Sequence, residues 1–328
     1  METRAKRGRI GFTTTRKFRN SHPEEVRHFV FNHLYALCSD FEILCTGGTY
    51  GFLGELLKSD LSDLNQEELD SIATYFRRPM DNEEAFLQWK NLTHGALTPL
   101  LPGIQGMVEL TYELVESRLD AAIHLRGWDE VDSALDSQVL RREANVHNIP
   151  IILDLQAARL AVAQWNSQAA LSPTRHRVFP EQSPIIDNPF KGIDPHHRVL
   201  ALVAHDGMKL EMCRFAVEHA SHIFNRFDHV LSTGTTGSWL KKFMQAAGRS
   251  ERELDSVRCC LSGPLGGDVQ IAMAIIKGLC NMVIFFQDPF VSHPHETDIR
   301  LFEQIALLEG TEVAIATNEK TARVLLRS

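Results

Sequence analysis

Short, nearly continuous apolar runs alternate along this chain with longer segments whose apolar side chains recur every three or four residues. In the second half the runs lie at 199–205, 227–232, 280–286 and 311–317. The segment 208–224 between the first two carries Leu210, Cys213, Val217, Ala220 and Phe224 at helical spacing, and 269–277 and 298–308 follow the same rule. A run such as Met282-Val-Ile-Phe-Phe286 has no polar face. Such a strand belongs in a parallel sheet covered by helices on both sides. The alternation therefore predicts an α/β fold, a doubly wound parallel sheet of Rossmann type, in which ligands gather at the C-terminal ends of strands.

The first half repeats the pattern. Residues 9–15, 41–51, 101–106, 119–125 and 149–154 match 199–205, 227–237, 262–267, 280–286 and 311–317 in order and in turn chemistry. This predicts a tandem duplication, with a domain at 1–166 and another at 197–328. Between them, 167–196 holds Pro173, Pro180, Pro184, Pro189 and Pro195, which predicts an extended linker. The offset between matching points shrinks along the chain, so the first half is expected to carry a helical insertion near 55–99.

Composition narrows the function classes. The 328 residues carry a net charge of −8, which provides no general basic field for nucleic acid. The early cluster Arg4, Lys6, Arg7 and Arg9 reads as a solvated tail. No apolar run approaches the ~20 residues that cross a bilayer, and the six cysteines form no CxxC pair. Reduced thiols and a cytoplasmic location are expected, with no nucleic-acid or membrane partner.

The chemistry concentrates at predicted strand ends of the second half. Thr233-Gly-Thr-Thr-Gly237 offers hydroxyls and backbone amides to an anion, with Lys209 near to supply charge. Ser262-Gly-Pro-Leu-Gly-Gly-Asp268 extends that cradle through Ser262 and Gly263 and ends in a carboxylate, which is either a helix cap or a base. His205, Asp206, Asp288, His295 and Asp298 stand at neighbouring strand ends. The group His293, His295, Glu296 and Asp298 fits no zinc spacing, and no metal or other cofactor is expected.

These pieces, in this order over 198–326, resemble methylglyoxal synthase. The same fold also serves as a regulatory domain of carbamoyl-phosphate synthetase, which gives the alternative of a non-catalytic module for phosphate or a phosphorylated metabolite. The resemblance implies a lyase that takes dihydroxyacetone phosphate to methylglyoxal and inorganic phosphate. It implies Asp268 as catalytic base, helped by His295 and Asp298. Substrate would be held by His205, Asp206, Lys209, Thr233, Gly234, Thr235, Thr236, Ser262, Gly263 and Asp288. It also implies phosphate as an inhibitor and a homo-oligomer, either a hexamer or a trimer of two-domain chains. In the first half Thr14-Thr15 stand opposite His205-Asp206, Met107 opposite Asp268, Gly127 opposite Asp288 and Ser133 opposite His295, while Asp136 matches Asp298. The scaffold is repeated there without the base, so a structural role or a retained anion site is expected.

Overall fold

The apolar runs form parallel strands. The structure is a computed structural model and describes residues 8–76, 78–127, 135–167, 188–288, 290, 291, 296–306, 308 and 311–327. The chain divides into two compact units, Met1–Val178 and Phe179–Ser328. The first is built on β1 (Gly8–Thr14), β2 (Phe41–Cys45), β3 (Leu97–Pro99), β4 (Ala121–Leu125) and β5 (Ile151–Ile152). Their order in the sheet is β3-β2-β1-β4-β5. The second unit has β6 (Val199–Ala204), β7 (His229–Ser232), β8 (Val257–Cys259), β9 (Met282–Phe286) and β10 (Ala314–Ala316). Their order is β10-β9-β6-β7-β8. Read from the other edge this is the same arrangement, with the first strand central, the second and third on one side and the fourth and fifth on the other. Every pairing among the described strands is parallel.

The fold is α/β, and burial shows why. Every residue of β6 and β9 is buried, which requires cover on both faces of the sheet. On one face Leu200, Leu202 and Ala204 pack with Met212, Phe215 and Leu240. The helix Gly267–Ile276 is buried along almost its whole length. In the first unit, Ile10 and Phe12 share a cluster with Phe29 and Leu53, while Leu44, Met107 and Leu110 form a separate one.

Two expectations change in detail. The periodic segment 208–224 is a 3-10 turn and two helices, Asp206–Met208, Lys209–Glu218 and Ala220–Arg226. They part at His219 (φ −101°, ψ 13°). The apolar spacing runs across the break because the buried residues of both helices, Cys213, Phe215 and Ile223 among them, pack in one cluster. The third matched pair, 101–106 and 262–267, is the turn and helix start after each third strand; the strands lie upstream as β3 and β8. Between β2 and β3 lie the helices Gly47–Leu56, Gln66–Phe76 and Glu83–Ala96, whereas Gly234–Ala246 and Glu251–Ser256 separate β7 from β8. Of the expected linker, 168–187 falls outside the described residues, and 188–197 has turns but no helix or strand.

Candidate functional site

The parallel register brings the C-terminal ends of β6, β7 and β9 side by side, with Leu202 opposite Ser232 and Ala204 opposite Phe286. After β6 the chain enters the 3-10 turn through His205, whose N–H donates to the Phe286 carbonyl at 3.1 Å. The Asp288 N–H donates to His205 Nδ1 at 2.8 Å. That bond settles the neutral tautomer: Nδ1 accepts, so the ring proton sits on Nε2. The ring is buried and stands edge-on to Phe285, with centroids 4.8 Å apart. The Asp288 carboxylate leans over the same turn, 2.8 Å from where a Cβ on Gly207 would stand.

Lys209, buried in the first turn of its helix, donates to Thr235 Oγ1 at 2.7 Å and to Asp206 Oδ1. The Asp206 side chain is 88% exposed. An ammonium is thereby fixed at the start of the helix Gly234–Ala246, where the macrodipole also favours an anion. Thr233 precedes that helix in an extended conformation and makes no side-chain cap bond; its hydroxyl donates instead to Thr236 Oγ1 at 3.3 Å. The Gly234 N–H donates to the Leu261 carbonyl at 2.8 Å, tying this loop to the turn that carries Ser262 and Gly263.

That second turn is held by close backbone contact. The Ser262 carbonyl accepts from the N–H groups of Leu265 and Gly267. Gly266 has φ 99°, a conformation that favours glycine. A Cβ on Gly267 would lie 2.0 Å from the Leu261 oxygen. Asp268 follows in the first turn of the helix Gly267–Ile276, 1% exposed. It is not the cap, a position that falls to Gly266. Gln270, which the sequence reading passed over, accepts from the Leu261 N–H at 2.6 Å and holds the turn from below. The available signal was a second polar residue, two positions after Asp268, in an otherwise apolar helix. His295 lies outside the described residues. Asp298 belongs to the helix Glu296–Ala306, but its side chain is not among those described.

No family model matches the chain. It is 34% identical over 134 residues to the methylglyoxal synthase of Vibrio campbellii, a stretch of 41% of this chain and 80% of that protein. It is 41% identical over 131 residues to the methylglyoxal synthase of a Thermoanaerobacter species, covering 39% of this chain and 87% of the relative. The chain belongs to the methylglyoxal synthase family. The methylglyoxal synthase of Thermus thermophilus is 37% identical over 129 residues, 92% of its length. Among solved structures, the methylglyoxal synthase of Elizabethkingia anophelis matches 40% of this chain and 78% of its own at 32% identity, with a TM-score of 0.34.

Beside the hydroxyl-rich turns of the second unit, the first unit has a turn of the same construction. The Gly47 N–H donates to Leu101 O at 3.1 Å, and Thr46 Oγ1 donates to Thr49 Oγ1 at 3.1 Å. A Cβ on Gly106 would lie 1.8 Å from the Leu101 oxygen, so the next residue, Met107, takes the place of Asp268. The Thr15 N–H donates to Leu125 O at 3.1 Å, as His205 does to Phe286. His205 therefore corresponds to Thr15, Asp206 to Arg16 and Lys209 to Arg19, one residue along from the pairing read in the sequence. Counting from Leu125 and Phe286 sets Gly127 against Asp288. Ser133 lies outside the described residues.

Proposed function

We propose that the second unit is a lyase converting dihydroxyacetone phosphate to methylglyoxal and inorganic phosphate. Membership of the methylglyoxal synthase family supports the reaction class. The observation that carries the assignment to this unit is Asp268, a buried carboxylate following the turn that joins the hydroxyl-rich loop, at a position where the first unit has Met107.

The substrate phosphate docks on the first turn of the helix Gly234–Ala246, with Lys209 as countercharge and Thr233, Thr235, Thr236, Ser262 and Gly263 as donors. A dianion held by amides, hydroxyls and one ammonium is bound without being neutralised outright, so it can still depart. Asp268 removes a proton from the hydroxymethyl carbon, and the electron pair of that C–H bond becomes the enediolate. The protonated Nε2 of His205 and the ring of His295 are the donors available to the developing oxyanion. The enediolate pair then expels phosphate as the C–O bond breaks. Elimination requires that bond perpendicular to the enediolate plane, and a phosphate fixed at several points sets the angle. As phosphate leaves, the hydroxyl on the carbon that lost its C–H proton gives up its own proton and becomes the aldehyde; the enolate left behind takes up a proton on its terminal carbon and becomes methylglyoxal. Asp206, Asp288 and Asp298 hold the surrounding donors and carry protons. The departing phosphate occupies the same cradle, so it inhibits in competition with substrate. The chain functions as a homo-oligomer, and light scattering that gave a stable monomer would contradict this.

The test incubates the purified chain with dihydroxyacetone phosphate and follows methylglyoxal and phosphate together. Equal release of both is expected. Asp268→Asn should lower kcat by about 10²–10⁴-fold while the protein stays folded. Near-normal turnover of that variant, or no methylglyoxal from the unaltered chain, overturns the reading.

A further inference from the structure

The first unit keeps the cradle and reverses its charge. In the second unit the positions around the turn hold Asp206, Asp268 and Asp288 against the single ammonium of Lys209. The corresponding positions of the first unit hold Arg16, Met107, Gly127 and Arg19, two guanidiniums and no carboxylate. Arg19 is part-buried, with its guanidinium 5.3 Å from the Phe52 ring centroid. Its Nη1 donates to the Thr14 carbonyl at 2.9 Å, and its Nη2 lies 3.8 Å from where a Cβ on Gly48 would stand, beside the first turn of the ten-residue helix Gly47–Leu56. Among the described residues no carboxylate pairs with Arg16 or Arg19. Burial and the charge of Arg16 both push the Arg19 guanidinium down, and no acid pulls it back.

A second observation points into the same space. Thr14 is 4% exposed, and its hydroxyl has no hydrogen-bond partner among the described residues. Strand alternation puts its side chain on the face of Ile10 and Phe12. The helix Gly47–Leu56 packs on that face through Leu53, as does Phe18 of the helix Arg16–Ser21. The Thr14 N–H donates to Thr49 Oγ1 at 3.1 Å and its carbonyl accepts from Arg19 Nη1 at 2.9 Å, so the residue is held between the first turn of the helix and the arginine. The Thr46 side chain does not cap the helix; the Gly47 N–H goes to Leu101 O and those of Thr49 and Tyr50 go to Thr46 O, which leaves the Gly48 N–H, beside Arg19, for an incoming group. A buried hydroxyl without a partner and a guanidinium without a counter-ion are both costly to keep. One oxyanion satisfies both.

We propose that the first unit binds a phosphate dianion, free or as the monoester of a small molecule, between Arg19, the Thr14 hydroxyl and the first turn of the helix Gly47–Leu56. With Met107 where the second unit has Asp268, it binds this ligand without turning it over. The site is separate from the proposed active site and does not depend on it.

Equilibrium dialysis of radiolabelled inorganic phosphate against the full chain tests this. The chain carries Lys209→Gln and Thr235→Ala, which weaken the second-unit cradle. About one phosphate per chain should still bind in the millimolar range. Adding Arg19→Gln should weaken that binding by about tenfold or more. Adding Thr14→Val, which keeps the shape of the side chain, should weaken it several-fold while leaving stability equal or higher. No phosphate bound by the starting chain, or binding undiminished by both added changes, overturns the proposal. If Arg19→Gln fails to fold, Thr14→Val decides alone: weaker binding supports the site and unchanged binding removes it.

Discussion

Gly267 and Asp268 divide one turn between them. Gly267 makes the close approach of two backbone segments possible, and Asp268 supplies the charge. A Cβ on Gly267 meets backbone oxygen, which cannot swing aside as a flexible side chain could. Gly267→Ala should cost about 3 kcal/mol, read as a lower urea midpoint with an unchanged slope. In the first unit Met107 is 5% exposed. Met107→Asp buries a charge there with a threonine, Thr15, at the position that holds His205 in the second unit, so it should cost at least about 3 kcal/mol and confer no lyase activity on a chain carrying Asp268→Asn. His124 is a different kind of buried polar residue. Its Nε2 lies 2.8 Å from Ser137 Oγ, and burial, helped by Arg126 and Arg141, pushes the ring down to about 4. The unfolded chain takes up this proton near its ordinary value of 6.5, whereas the folded chain takes it up only near 4. The unfolded state therefore binds more protons between those values, and stability falls as pH drops through that window. The loss from this ring is on the order of 3 kcal/mol. Urea titrations of the first unit's unfolding from pH 7 to pH 4 should show it, and His124→Gln should flatten the curve.

At the scale of elements, legibility followed length and burial. The apolar runs that became β6 and β9 were plain because a strand covered on both faces admits no polar residue. The three-residue strands β3 and β8 were not, since so short a run has no periodicity, and only the turns after them stood out. Helical spacing located 208–224 but not its break at His219, because the apolar stripe continues across it. The Asp268 motif was legible as residues. Its burial and the Nδ1 contact that orients His205 were not, because they depend on Gly234, Leu261 and Asp288 meeting across separate elements. Local signals remain reliable where the interaction is local. The helix Glu251–Ser256 starts with a capping box, Ser250 with Glu253. Ser250→Ala should cost about 1 kcal/mol in thermal or chemical unfolding.

At the scale of the molecule, five of the six cysteines are buried and none forms a disulfide. Burial pushes Cys213 up to about 11 and Cys280 up to about 12. A thiol reagent at neutral pH should label Cys259 first and slowly, and should reach Cys213 and Cys280 only as the chain unfolds. Mass spectrometry of native and urea-treated protein checks this. The two sheets share one strand order and one kind of third turn, and that shared turn bears on how such chains change over time. Where a backbone oxygen fills the place of a Cβ, at Gly106 and at Gly267, only glycine fits without moving the backbone. The neighbouring residue carries none of that constraint. A saturation library scored for soluble abundance should accept glycine alone at 106 and 267, and at 107 and 268 a range of uncharged residues beside the native Met107 and Asp268. The side chain at that neighbouring position can then change while the loop around it survives intact, which makes the turn a durable site of functional divergence.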